Sequence, residues 1–316
     1  MKIAYVKKKF TASHLAIIST ANDIVAEYMA QGYDLTLRQI YYQFVSRAII
    51  ENTIQSYKRL GSIINDARLA GLISWEAMED RTRGVETPAH WNHPTNILNV
   101  CARQFRIDKW HNQKYRPEVL VEKDALAGIV GRVCQELDIS YLSCRGYTSQ
   151  SEMWRSAMRY KAFRNNGQVP IILHFGDHDP SGIDMSRDIR ERVNDVFGVR
   201  VEVIRMALNM DQVQQYNPPP NPAKETDSRC SGYKDKYGDE SWELDALEPS
   251  VISDLIRDKV LTYRDDDKWK EKIQEEENHR ATLAKIVSKF DDIEIFLDQS
   301  EGNDDKIDEE LNDEDD

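Results

Sequence analysis

Between residues 117 and 205, short apolar runs alternate with stretches of helical periodicity. No other feature of the chain restricts the fold as much. Residues 118–122 (EVLVE), 139–144, 169–175 (VPIILHF) and 199–205 read as strands, and 124–137, 149–163 and 182–197 as the helices between them. The run at 169–175 has the continuous apolar character of a strand buried on both faces. Strand–helix alternation at this spacing predicts an α/β fold with a mostly parallel sheet covered by helices.

Before this region the period is helical throughout. Residues 13–32 place Leu15, Ile18, Val25, Tyr28 and Met29 as apolar positions, with Ser13 as N-cap and Gly32 as a stop. A second helix starts at Thr36, where Thr36 and Gln39 form a capping box. Its core face carries Leu37, Ile40, Tyr41, Phe44 and Val45. Tyr42 is turned about 100° from Tyr41 and shares an outward face with Arg38 and Ser46. An exposed tyrosine there is either a surface ring stacked on a neighbour or a nucleophile served by a fixed cation. A third helix, 52–71, sets Ile54, Tyr57, Leu60, Ile64 and Ala67 inward, and Lys58 and Arg59 mainly outward. The irregular, basic stretch 75–91, with Arg81 and Arg83, follows. Three helices and such a segment fit a helix-turn-helix with a wing, or a plain three-helix bundle.

Charge bears on the choice. The 316-residue chain carries a net −13, but residues 1–116 hold sixteen Lys/Arg against ten Asp/Glu, and residues 301–316 hold ten acids and one lysine. A basic first third is either an electrostatic footprint for DNA, with Lys58, Arg59, Arg81 and Arg83 as phosphate contacts, or an ordinary solvated surface. The sequence divides into 1–116, 117–298 and an acidic tail, 299–316, whose composition predicts disorder. No apolar run reaches the ~20 residues of a membrane span. The four cysteines are widely separated, without a CxxC pair, which fits a reducing cytoplasm and argues against a zinc finger.

Acids gather where an open α/β sheet places its chemistry, outside the carboxyl ends of strands. Glu122 closes the first strand; Asp177-His178-Asp179 follows the strand at 169–175. Oxygen-rich, negatively charged sites of this kind suit magnesium. Taken singly, each motif is equally a helix-start charge pair or a turn with an N-cap. His174 reads as a strand residue packed in the interior, and His90-x-x-His93 as a loop pair. There is no GxxxxGK[ST], GxGxxG, GxSxG or HExxH motif.

The ordered segments LTLRQIYYQ (35–43), VLVEKDAL (119–126), RGYTSQ (145–150) and HFGDHDPSGIDM (174–185) together resemble the topoisomerase VI A subunit and its relative, the meiotic DNA-breaking transesterase. The resemblance covers residues 12–262. It implies a winged helix followed by a Toprim domain, with Tyr42 as nucleophile, Arg38 beside it, and Glu122, Asp177 and Asp179 as magnesium ligands. It further implies a 5′-phosphotyrosyl DNA intermediate and a homodimer in which the tyrosine of one protomer meets the metal site of the other. A separate GHKL-type ATPase would supply strand passage. The chain departs from the family at Thr148, where Gly-Tyr is usually followed by Pro, and an ATPase is expected on a separate chain rather than fused. It resembles a compact, stand-alone A subunit that cleaves double-stranded DNA in the cytoplasm, associated with the nucleoid. The alternatives are a Toprim hydrolytic nuclease and a non-catalytic DNA-binding subunit of a defence or mobile-element system.

Residues 216–247 match nothing in that family pattern. The prolines of YNPPPNP stiffen a loop, with Lys224 and Arg229 as possible phosphate contacts. Residues 249–263 and 267–297 read as helices, the second charged nearly all round.

Overall fold

A computed structural model describes residues 1–78, 87–223 and 225–297. Arg81, Arg83, Lys224 and the acidic tail lie outside the described residues. Contacts gather the chain into two units. One takes in the chain from Met1 together with Lys114–Arg264; the other takes in the stretch ending at Gln113 together with the chain from Asp265. This grouping differs from a linear division at residue 116/117, because each unit is built from segments far apart in sequence.

In the first unit, helices α1 (Ala12–Ala30), α2 (Leu37–Ser46) and α3 (Ile54–Leu69) share one core of Ile18, Ile24, Tyr28, Ile40, Phe44, Leu60 and Ile64. The capping box at Thr36 and Gln39 forms as the sequence predicts. The first helix instead starts at a Thr11 cap, which accepts from His14 N, and the third at Thr53. Ile54, expected inside, is 77 % exposed, because it occupies the first turn of α3 beyond the packed faces. Of the stretch expected as a wing, Trp75–Ala77 is a single 3-10 turn and 79–86 are not described.

The sheet is mixed with helices as expected, and its four strands are all parallel, in the order β2-β1-β3-β4. The strands are β1 (Tyr115–Val121), β2 (Ser140–Ser143), β3 (Val169–Phe175) and β4 (Glu202–Ala207). They alternate with α5 (Ala127–Glu136), α6 (Gln150–Asn165) and α7 (Pro180–Glu191). Leu120 and Ile172 face a layer formed by Met153, Ala157 and Tyr160 of α6 and Ile189 of α7. Their strand neighbours Val119, Val121, Ile171 and Leu173 point the other way by alternation and are equally buried. Both faces are thus covered, which accounts for the continuous apolar run of β3. The chain moves from β1 outward to β2, then returns to the opposite side of β1 for β3. The switch point therefore falls between the carboxyl ends of β1 and β3, where doubly wound sheets form their crevice.

Residues 216–247 are more ordered than a proline loop. After α8 (Met210–Tyr216), β5 (Asn221–Pro222) pairs with β6 (Glu240–Ser241) in antiparallel fashion around α9 (Cys230–Tyr237). A 3-10 turn, Leu244–Ala246, then leads to α10 (Pro249–Leu261), which packs on α5.

In the second unit, α4 (Pro94–Gln104) packs on α11 (Asp266–Ser288). Its centre is Trp110, fully buried and edge-on to Trp269 at 5.7 Å. The charge of α11 is not wholly solvated: buried Glu276 accepts from Lys109 (2.8 Å), Arg280 (3.0 Å) and the amide of Ile107 (3.1 Å).

Candidate functional site at the sheet switch point

Glu122 stands one residue past β1, opposite the end of β3. Its amide donates to Phe175 O (2.8 Å), and its Oε2 accepts from the Asp177 amide (2.8 Å). Two glycines make this approach possible. A Cβ on Gly176 would come within 2.9 Å of Glu122 Oε2, and one on Gly182 would strike Asp177 O at 2.2 Å. Asp179 caps α7, accepting from Gly182 N (2.6 Å) and Ser181 Oγ (2.9 Å). Arg205 of β4 ties the turn from within, donating to the carbonyls of Gly176 (3.0 Å), Asp177 (2.6 Å) and Gly182 (2.8 Å). Burial pulls its pKa down to about 10. His174 is interior, as its strand position predicts, paired with Ser186 Oγ at 2.8 Å and held neutral by burial, with its pKa lowered to about 3.

Burial raises Asp177 to about 7 against the pull of the Lys123 ammonium, and the neighbouring Glu122 and Asp245 charges add to the rise. Glu122 is raised too, by burial and then by Asp179. A buried carboxylate is costly unless a cation answers it. Here the cation is Lys123, which reaches Asp177 Oδ2 (3.0 Å), Glu243 Oε2 (2.8 Å) and Asp245 Oδ1 (2.8 Å). Leu244 N donates to the other oxygen of Asp177 at 2.8 Å. Among the described residues, no three His, Cys, Asp or Glu side chains are placed to hold one metal ion. The oxygens of Glu122, Asp177 and Asp179 named above are already bonded to amides, a hydroxyl or Lys123. As arranged, the three carboxylates expected as magnesium ligands do not fit around a single ion.

The second departure concerns Tyr42. It shares a helical face with Arg38, as predicted, with Arg38 Nη2 3.5 Å from its Oη. It is not exposed, however, at 4 % of its surface. Residues 242–245, two hundred positions later, lie over that face. Arg38 pairs with Glu243 and, through Nε at 2.9 Å, with Asp245. Burial, then Asp245 and Glu243, push the Tyr42 phenol far above its ordinary pKa, while Arg38 opposes them. Lys123 and Arg38, with hydrogen bonds from both Lys123 and Tyr42, hold Glu243 well below the usual carboxylate range despite its burial. Tyr41, by contrast, is the core residue expected, donating to Asn52 Oδ1 (2.9 Å) and Thr53 O (3.1 Å).

One cavity of about 490 Å³ brings these elements together. Arg38 and Tyr42 from α2 and Asp177 and Asp179 from the β3–α7 turn all line it, with Glu243. The resemblance implies that tyrosine and carboxylates meet between protomers; here they meet within one chain. Glu122 is not part of the cavity lining but supports it through the Asp177 amide. Lys58 and Arg59 are exposed on α3, without an ion-pair partner among the described residues. Arg229 is not a free cation: it pairs with Asp227 and Asp184 (both 2.8 Å) and lies over the Tyr147 ring.

Sequence reasoning missed Lys123, Arg205, Glu243 and Asp245. Lys123 had a signal, a lysine directly after a site acid. Glu243 and Asp245 had none, since nothing local marks which distant loop covers a helix. Compared with known proteins, the chain matches no family model and no curated protein. No helix among the described residues is long and apolar enough to cross a membrane.

Proposed function

We propose that this chain cleaves DNA by tyrosyl transesterification, with Tyr42 as nucleophile, as a type IIB topoisomerase A-subunit-like enzyme of the isomerase class. One observation carries the reading: Tyr42, Arg38, Asp177 and Asp179 line a single cavity at the switch point of a parallel sheet. In this reading residues 1–78 belong to a winged-helix domain and the sheet to a Toprim-like one. Exposed Lys58 and Arg59 on α3, with Arg81 and Arg83, contact the DNA backbone.

The charged contacts suggest an order of events. A phosphodiester entering beside Arg38 competes with Glu243 and Asp245 for the guanidinium, and their release lowers the cost of ionising Tyr42. Tyr42 Oη loses its proton and attacks phosphorus. The P–O3′ bond breaks, the 3′ oxygen takes up a proton, and the 5′ phosphate stays on Tyr42, so no net proton is consumed. A magnesium requirement carries over from the resemblance as part of the proposal, but no step is assigned to the ion, because Glu122, Asp177 and Asp179 as arranged do not fit around one. A double-strand break needs one tyrosine per strand and hence a homodimer. Strand passage would need the separate GHKL-type ATPase. A cytoplasmic, nucleoid-associated location follows from the same reading.

One observation favours a second reading, a hydrolytic Toprim nuclease in which water attacks: Tyr42 is buried and held as the neutral phenol. Denaturing electrophoresis of labelled supercoiled DNA after incubation with magnesium separates the two. Wild-type protein and Tyr41→Phe should become covalently linked to 5′ ends, and Tyr42→Phe should not. Tyr41→Phe removes two hydrogen bonds and should cost about 1–3 kcal/mol of stability without loss of the adduct. Free 5′ ends from Tyr42→Phe would transfer the assignment to the nuclease. A covalent adduct on Tyr42→Phe would remove the tyrosine from the mechanism.

A further inference from the structure

We propose that the cavity beside Tyr42 accepts an unpaired DNA base, so that the enzyme prefers duplex DNA that is gapped or locally melted, as under negative supercoiling, over fully paired duplex. The inference rests on the reading that a DNA phosphate is engaged at Tyr42, and it specifies what must lie next to that phosphate.

The volume, about 490 Å³, falls within the roughly 300–1,000 Å³ typical of sites for molecules of nucleotide size. The wall is aromatic: Tyr41, Tyr42, Tyr57 and Trp242 all contribute. Tyr41 meets both Tyr42 and Tyr57 edge-on, with centroids 5.3 Å apart in each case. The three tyrosine rings therefore turn in different directions rather than filling one another's faces. Tyr41, Tyr42 and Trp242 are buried, whereas Tyr57 is half-buried. It is thus the ring placed to receive a stacked base.

Polar groups are placed for a base edge. Asn221 lines the cavity; its Oδ1 accepts from Asn52 (2.9 Å), while its Nδ2 makes no hydrogen bond among the described residues. That donor suits a base carbonyl or ring nitrogen. The charge pattern favours a neutral group in the part of the cavity away from Arg38. Asp177, Asp179 and Glu243 border the space, and they repel a phosphate but not a neutral base. The phosphate stays at Arg38 and the base goes inward. A base still paired and stacked in a helix must leave the stack to enter such a cavity. Unstacking costs a few kcal/mol and is least costly where pairing is already absent, while stacking on an aromatic ring returns about 1–3 kcal/mol per base.

The test uses full-length Tyr42→Phe protein, to exclude covalent capture, and two DNAs of one sequence. One is an intact duplex; the other has a single unpaired 2-aminopurine. The gapped DNA should bind at least tenfold tighter, with its 2-aminopurine emission quenched. Adding Tyr57→Ala should weaken binding of the gapped DNA about tenfold and leave intact-duplex affinity unchanged, which also reports that the fold is retained. Tyr57→Phe keeps the ring and should restore the preference. Equal affinity for the two DNAs, or equal losses on both with Tyr57→Ala, overturns the proposal. The two readings fail separately. Wild-type adducts formed equally on intact duplex would leave the tyrosine chemistry standing without the pocket. Preference and quenching without any wild-type adduct would leave the pocket standing without the chemistry.

Discussion

At Asp177, burial and the nearby Lys123 charge work against each other. The Asp177 pKa is raised to about 7 in the folded protein, above the ordinary carboxyl value that an unfolded chain restores. A raised pKa means that the folded state holds the proton more tightly. Its stabilising contribution is therefore complete below about pH 4 and is lost as pH rises towards 7. Glu243 has the opposite sign, since its pKa is depressed; its contribution is present above the ordinary glutamate value and fades as pH falls through and below it. Asp177→Asn keeps an acceptor for Leu244 N and removes the charge. We expect thermal denaturation to give a higher Tm than wild type at pH 8 and no gain at pH 4. A lower Tm at pH 8 would mean that the Lys123 ion pair outweighs the burial of the carboxylate. The substitution should also abolish adduct formation, separating what this carboxylate does for stability from what it does for function.

Among the elements, the segment from β6 into the 3-10 turn bears most directly on the proposed chemistry. It lays Glu243 and Asp245 across the face of α2 that bears Arg38 and Tyr42, and the same two acids hold Lys123. If Tyr42 is the nucleophile proposed, it would stay inactive until this cover yields. Glu243→Gln leaves the length of the side chain but removes a charge that raises the Tyr42 pKa and competes for Arg38. We expect adduct formation several-fold faster than wild type in an electrophoretic time course. Breaking a buried charge network should cost stability, about 1–3 kcal/mol by denaturant titration. A slower adduct with unchanged DNA affinity would instead make Glu243 the acceptor of the phenol proton. Elements with a local cause are those legible beforehand. The capping box of α2, the start of α6 near residue 149 and the whole span of β3 follow from neighbouring residues. The hairpin of β5 and β6 was not legible, because two-residue strands carry no period.

For the molecule as a whole, the proposed reading makes net charge and its placement govern how DNA would be met. Residues 301–316 carry ten acids against one lysine, opposite in sign to the first third. On the proposed reading, a run of that charge competes with phosphates for the basic surface, and most strongly where screening is weak. Truncation after Leu297 should tighten DNA binding several-fold at low salt, with the gain vanishing as salt approaches about 0.5 M, where the Debye length is only a few ångströms. Equal affinities of the two proteins at low salt would leave the tail with no role in binding.

The sequence by itself determined the α/β alternation, the position of Glu122 and Asp177 at strand ends, and the shared face of Arg38 and Tyr42. Each depends on contacts between residues a few positions apart, through hydrogen-bond periodicity and side-chain alternation. Only the tertiary structure decided that Tyr42 is buried, that Lys123 answers the carboxylates, and that α4 groups with α11 rather than with the helices preceding it. Those outcomes depend on which distant surfaces meet. Residues 38 and 243 are brought into contact by the packing of the first unit, and no pattern within either segment encodes its partner.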